Sequence, residues 1–356
     1  MSNRTTQILN QWLPLKDEHE WVLGTVIQTS GPCYRKTGAM MMINGLGQWF
    51  GMLSGGCLES DLLKHARQVM QTETSQIITY DALDDDEAAW LLGIGCGGKV
   101  VILLQPVTAG NHYLQLDQIQ QRLAQGADCH YRLDCKEGRH CHNQFLKTAH
   151  DSAEDKLAHQ LIITLKADPR LVIFGAGVDV IPLVNMAREL GWRLMVIDHR
   201  ISSIRQQKYF QGIAVISKQS HEINKDKQIM QQLTLCDAAI IMTHNLSLDA
   251  EALSLLSEIY QPTEPSAHQC QKLNYIGLLG PESRKRKVCM MANLHQAFPE
   301  KLLHGPAGLD IGGEIPESIA LSILSEIHQV IEKQQLPDYQ NEKLTSSKAN
   351  STRVKQ

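Results

Sequence analysis

Two cysteines set among glycines, with a pair of cations upstream, are the residues of this chain best placed to do chemistry. Cys57 stands in Ser54-Gly55-Gly56-Cys57-Leu58-Glu59, and Cys96 in Gly93-Ile94-Gly95-Cys96-Gly97-Gly98. The first loop runs into a helical pattern of Leu62, Leu63, Ala66, Val69 and Met70, which puts Cys57 at or near a helix start. Unpaired N–H groups and the helix dipole favour thiolate there. With Gly55 and Gly56, the same N–H groups would cradle a phosphate. Gly95 and Gly97 flank Cys96, so its thiol is unshielded and its backbone free to take positive φ. The plainer account of either cysteine is a small buried hydrophobe. Arg35 and Lys36, inside Gly31-Pro32-Cys33-Tyr34-Arg35-Lys36-Thr37-Gly38, offer a planar fork and a point charge to an anion. Their plainer account is a solvated turn.

A second set lies between residues 170 and 310. Leu171 to Phe174 is an apolar run of strand length that stops at Gly175-Ala176-Gly177, where the helical pattern of Ile181, Val184 and Ala187 begins. Gly191 ends that helix, Leu194 to Ile197 makes another strand, and Asp198 follows 21 positions after Gly177. Strand, glycine turn, helix, strand and acid make a nucleotide-type βαβ unit. Gly175 can turn with positive φ, and Gly177 lets backbone approach a phosphate. Val180 stands where a third glycine would let helix pack closely on strand, and Asp179 puts an acid beside the turn. Further on, Thr243-His244-Asn245 ends the strand Ala238 to Met242, and Arg284 begins a four-cation run after the strand Tyr275 to Leu279. His304 opens the glycine-rich loop that runs to Glu314. One reading of these residues is an NAD(P)-dependent oxidoreductase, with Asp198 accepting from a ribose and His244 or His304 as acid/base.

These residues require an α/β chain, in which an N-terminal α+β domain is followed by a Rossmann-like domain with a parallel sheet. The expected divisions are residues 1–108, a connector with a hairpin over 109–167, the Rossmann-like domain over 168–334 and a disordered tail over 335–356. Trp21 to Thr29, Ala39 to Ile43 and Gln48 to Leu53 read as strands, the last two joined by a hairpin turn. A short acidic helix runs from Asp84 to Leu92, and a longer one from Glu222 to Leu233. Cys129, Cys135 and Cys141 with His130, His140 and His142 invite a zinc reading, but no Cys-x-x-Cys knuckle is present.

The 356 residues carry 34 basic and 38 acidic side chains, a net charge of -4 that gives no electrostatic case for nucleic acid or an anionic membrane. Met1 to Trp12 has no apolar signal core, and no run approaches the roughly 18 residues of a spanning helix. A cytoplasmic protein is expected, its nine cysteines reduced.

The ordered motifs TSGPCYRKTGA, SGGCLES, GIGCGG, LVIFGAG, VIDHR, MTHN, YIGLLGP and LHGPAGLDIGGE resemble those of the XdhC/CoxI family of molybdenum-cofactor chaperones. The resemblance implies an accessory protein that binds molybdopterin, protects it, supports its sulfuration and inserts it into its client. It implies apo-xanthine dehydrogenase or a related molybdenum hydroxylase and a cysteine desulfurase as partners; a homodimer is a further expectation. By position, the family's glycine-flanked cysteines correspond to Cys57 and Cys96, which become candidate molybdenum contacts, and its Rossmann glycines to Gly175 and Gly177. The family usually carries histidine directly after the second Rossmann glycine, where this chain has Val178-Asp179.

Overall fold

The computed structural model describes residues 3–81, 97–138, 141–147, 159–201, 208–260, 273–294, 298–299 and 301–333. The acidic helix, Gly95, Cys96 and the tail expected over 335–356 lie outside them. The chain divides into two units at Asp168/Pro169.

The first unit opens with α1 (Thr5–Trp12) and is built on β1 (Trp21–Ser30), β2 (Met40–Asn44), β3 (Trp49–Gly51), β4 (Gln76–Asp81) and β5 (Lys99–Val107). They form a five-stranded sheet in the order β3-β2-β1-β5-β4, antiparallel throughout. The strands read as unbroken apolar runs because both faces of the sheet are covered. Val22, Val26, Met41 and Ile43 meet Leu62, Ala66 and Val69 of α2 (Glu59–Thr72) on one face. Trp21, Leu23, Met40 and Met42 point the other way, as the two-residue period of a strand requires.

That second face is covered by α1, by α3 (Leu116–Ala124), and by a small antiparallel sheet of β6 (Cys129–Asp134), β7 (Gln144–Leu146) and β8 (Gln160–Leu165) in the order β7-β6-β8. Residues 109–167 therefore share the core of residues 1–108: Trp12 and Trp21 belong to the same cluster as Tyr131, Ile163 and Leu165. Ahead of α3 the backbone makes a left-handed turn, with φ of 54°, 51°, 54° and 59° at His112, Tyr113, Leu114 and Gln115. It is tied down by the Tyr131 hydroxyl donating to Leu114 O and by Phe145 N–H donating to Gln115 Oε1, both at 2.8 Å.

The second unit is a six-stranded sheet of β9 (Arg170–Phe174), β10 (Arg193–Ile197), β11 (Ala214–Ile216), β12 (Ala238–Ile241), β13 (Tyr275–Leu278) and β14 (Leu303–His304). Every pairing is parallel, and the order is β11-β10-β9-β12-β13-β14. Leu171 and Ile173 face α4 (Val180–Glu189) and α9 (Pro316–Lys333), while Val172 and Phe174 face the opposite core. That core holds α5 (Ser220–Ile223), α6 (Lys227–Leu233), α7 (Leu246–Ile259) and α8 (Glu282–Met291). The single helix expected over Glu222–Leu233 is two, because Asp226 turns its carboxylate onto the N–H groups of Gln228 and Ile229 and starts α6 afresh. The strand order reverses between β9 and β12, the crevice where sheets of this kind place a ligand. Among the described residues, no helix is long and apolar enough to cross a membrane.

Candidate functional site

Antiparallel order sends the loops after β1, after β3 and before β5 out of the same end of the first sheet. The structure brings these loops into contact. A side chain on Gly98 would stand 2.4 Å from Pro32 O and 2.8 Å from Cys33 Sγ, so only glycine lets the two loops lie together. The Cys33 thiol donates to Lys99 O at 3.4 Å, and the Tyr34 ring lies 3.8 Å from where a Gly55 side chain would begin. Arg35, Lys36, Gly55, Gly56, Cys57 and Gly97 thus sit around one sheet end.

Within the Cys57 loop, Ser54 is the knot. Its backbone N–H donates to Glu59 Oε1 at 3.0 Å and its hydroxyl to Glu59 Oε2, while its oxygen accepts from Gly56 and Leu58 N–H groups at 3.1 Å. Glu59, buried in the first turn of α2, thereby supplies the negative charge that a helix start favours. Cys57 is half-buried and packs beside the core under α2. Gly56 and Gly97 have φ of 110° and 66°, and a side chain on either would meet nothing within 4 Å. They are glycines for their conformation, and among the described residues the space beside them is open.

Arg35 is the odd charge of this end. It is half-buried, and among the described residues it has no hydrogen bond or ion pair. Burial pushes its guanidinium below its ordinary value, only partly offset by Tyr34. Tyr34 itself is 56% exposed. Sequence reasoning passed over Tyr34 and Cys33 although they adjoin Arg35; an aromatic next to cations in a glycine-bounded loop was the available signal.

The second unit gathers Gly175, Gly177, Asp198 and His244 at the carboxyl ends of β9, β10 and β12. Gly175 has φ 115°, and a side chain there would lie 2.4 Å from Met242 O, so close packing of the turn on the neighbouring strand demands glycine. Asp198 is 7% exposed. Its Oδ1 accepts from Arg200 N and Nε, each at 2.9 Å; its Oδ2 accepts from Ala176 N at 2.9 Å and Arg200 Nη2 at 2.7 Å. Burial alone would raise this carboxyl, but those bonds outweigh it and hold Asp198 below its ordinary value. A carboxylate has about four acceptor positions. All are taken within the unit, so Asp198, expected to accept from a ribose, here braces the glycine turn.

Arg284 and His304 are likewise committed, each by a partner within the unit. The Arg284 fork grips Asp249 Oδ2 through Nε at 3.0 Å and Nη2 at 2.6 Å, and Asp249 is 1% exposed. Thr243 donates to the other Asp249 oxygen. His304 stacks on Tyr275 at 4.4 Å, its Nδ1 lies 2.9 Å from Glu326 Oε1, and its Nε2 lies 3.1 Å from Lys301 O. Glu326 also accepts from the Tyr275 hydroxyl and Gly308 N, both at 2.7 Å. Burial would raise Glu326, yet His304, Tyr275 and Gly308 together hold it below its ordinary value. Arg284, expected to face an anion, and His304, expected to act as acid/base, are both paired within the unit in this structure. His244 alone stays largely exposed, with Nε2 at 2.8 Å from Asp179 Oδ2. Among the described residues, no group of three or more histidine, cysteine or acidic side chains is placed to hold a metal ion.

Comparison with known proteins places this arrangement. A family model described as the XdhC Rossmann domain matches residues 171–327, and one described as the XdhC and CoxI family matches residues 15–81. A protein of Bacillus subtilis (strain 168) described as a probable xanthine dehydrogenase subunit is 30% identical over 336 residues, covering 88% of this chain and 94% of that protein. An uncharacterised protein of Escherichia coli K12, YqeB, is 27% identical over 166 residues, 46% of this chain and 27% of its own length. A crystal structure described as a xanthine dehydrogenase from Bacillus halodurans superposes with a TM-score of 0.75 at 28% identity, covering 93% of this chain and 96% of that one. The two family models fall one in each structural unit, and the two Bacillus relatives run almost end to end with the chain: it belongs to the XdhC and CoxI family.

Proposed function

We propose that this protein is an accessory protein of xanthine dehydrogenase or a related molybdenum hydroxylase. In this reading it binds the molybdenum cofactor as cargo, protects it during sulfuration by a cysteine desulfurase, and delivers it to the apoenzyme. The chain is then a carrier in the cytoplasm, working alone or as a homodimer, and the catalyst is its client. Family membership and the names of two relatives support the link to xanthine dehydrogenase.

The observation that carries the cargo reading is Arg35: a half-buried guanidinium that has no partner among the described residues costs solvation and gets nothing back until an anion arrives. Molybdopterin is a phosphate-bearing ring system with a soft metal–sulfur centre. Arg35 and Lys36 suit its phosphate, the exposed Tyr34 ring offers a flat apolar face, and Cys57 offers a soft donor beside the open space at Gly56. Cys96 and Gly95, expected to belong with them, lie outside the described residues.

The test is retention of cofactor by purified protein, read as fluorescent oxidised pterin after release, together with activation of an apo-hydroxylase. Arg35→Ala is expected to retain at least about tenfold less, from loss of a charge-assisted pair. Cys57→Ser is expected to retain pterin but activate its client poorly. Undiminished retention and transfer by both variants would overturn this reading.

A further inference from the structure

The second unit has the strand order and glycine turn of a dinucleotide site, yet the place a phosphate would use is already filled by the chain itself. The middle glycine of such a turn is bare so that a pyrophosphate can approach the backbone. Here a side chain on Gly177 would lie 2.4 Å from Asp179 Oδ1 and 4.0 Å from His244 Cδ2. Asp179 has folded back over the turn, with its other oxygen held by His244 at 2.8 Å. It makes no capping bond to the start of α4, and its carboxylate lies over the turn. Next to it, all four acceptor positions of Asp198 are taken.

We infer that Asp179 is an internal substitute for a ligand anion and the residue that sets this crevice against pyrophosphate-bearing dinucleotides. His244 steadies the carboxylate from across the crevice, 65 positions along the chain. A pyrophosphate entering the turn would have to displace Asp179 and would meet it as a like charge. This inference goes beyond the cargo reading and does not depend on it.

Calorimetric titration with inorganic pyrophosphate and with ADP-ribose tests it. All proteins carry Arg35→Ala and Lys36→Ala, which removes both cations that the first unit offers to a phosphate, and each is checked by thermal melting. The parent is expected to show no saturable binding at millimolar ligand. Asp179→Asn and Asp179→Gly should each bind pyrophosphate at least about tenfold more tightly than the parent. His244→Ala, which keeps the carboxylate, should show no gain. Parent protein that binds pyrophosphate as tightly as either Asp179 variant would overturn the inference, as would a gain in His244→Ala equal to that in Asp179→Asn.

Discussion

The loop end of the antiparallel sheet and the carboxyl end of the parallel sheet treat charge in opposite ways. In the first unit Arg35 sits half-buried with no partner among the described residues, and two glycines meet none of those residues where a side chain would begin. In the second, four side chains that topology would nominate as ligand-binding are matched within the unit: Asp198 with Arg200, Asp249 with Arg284, Glu326 with His304, and Asp179 with His244. A parallel sheet with a reversed strand order and a glycine turn looks like the binding half of the molecule. Those four charges are spent on holding that architecture together, whereas the less familiar antiparallel end carries Arg35, unpaired among the described residues.

The largest expected effect sharpens this contrast directly. Arg284→Ala leaves Asp249 buried and uncompensated, and should cost about 3–5 kcal/mol in denaturant unfolding. Arg35→Ala, which breaks no bond and relieves a desolvated charge, should stay within about 0.5 kcal/mol of the parent. Equal losses in the two variants would erase the distinction between the ends.

Next comes the turn itself. Gly175→Ala must take φ 115° and approach Met242 O, so a loss of roughly 2–3 kcal/mol is expected by the same measurement. The corresponding Gly56→Ala, strained in φ but free of contacts, should lose only about 1 kcal/mol.

The smallest effect is on acid stability. Asp198 and Glu326 both lie below their ordinary values in the folded protein. Their contribution is complete above the ordinary carboxylate range, roughly pH 4–5, and is lost as pH falls through the folded values. The melting temperature should fall on acidification, and Glu326→Gln should flatten that fall. An unchanged slope in Glu326→Gln would show that its cluster with His304 and Tyr275 does not titrate in this range.

The α/β class and the Rossmann-like half were legible because strands buried on both faces leave continuous apolar runs, and because Gly175 stands where no other residue fits. The convergence of the Arg35 and Cys57 loops was legible only as adjacent motifs, since it depends on antiparallel order. The fates of Arg284 and His304 were hidden by distance along the chain: their partners are Asp249, 35 positions away, and Glu326, 22 positions away. A signal existed nonetheless. Asp249 precedes Leu253 and Leu256 by four and seven positions, and Glu326 follows Ile319 and Ile323 by seven and three, so both acids sit in the apolar stripes of their helices. An acid on a buried stripe announces a cation that must come to meet it. The Asp179–His244 pairing carried no such mark, because both residues lie in turns.

The left-handed turn at His112–Gln115 has a consequence for how this sequence can drift. Its four residues adopt, in effect, the mirror image of ordinary helical backbone, which L-amino acids resist by roughly 1–2 kcal/mol each. Glycine or asparagine at His112, whose side chain makes no bond to the anchoring Tyr131 and Phe145, would relieve part of that resistance, while valine or isoleucine would be shut out. The segment is therefore a reserve of unclaimed robustness, containing none of the residues proposed to meet a ligand, on which the chain could draw to tolerate costly change elsewhere.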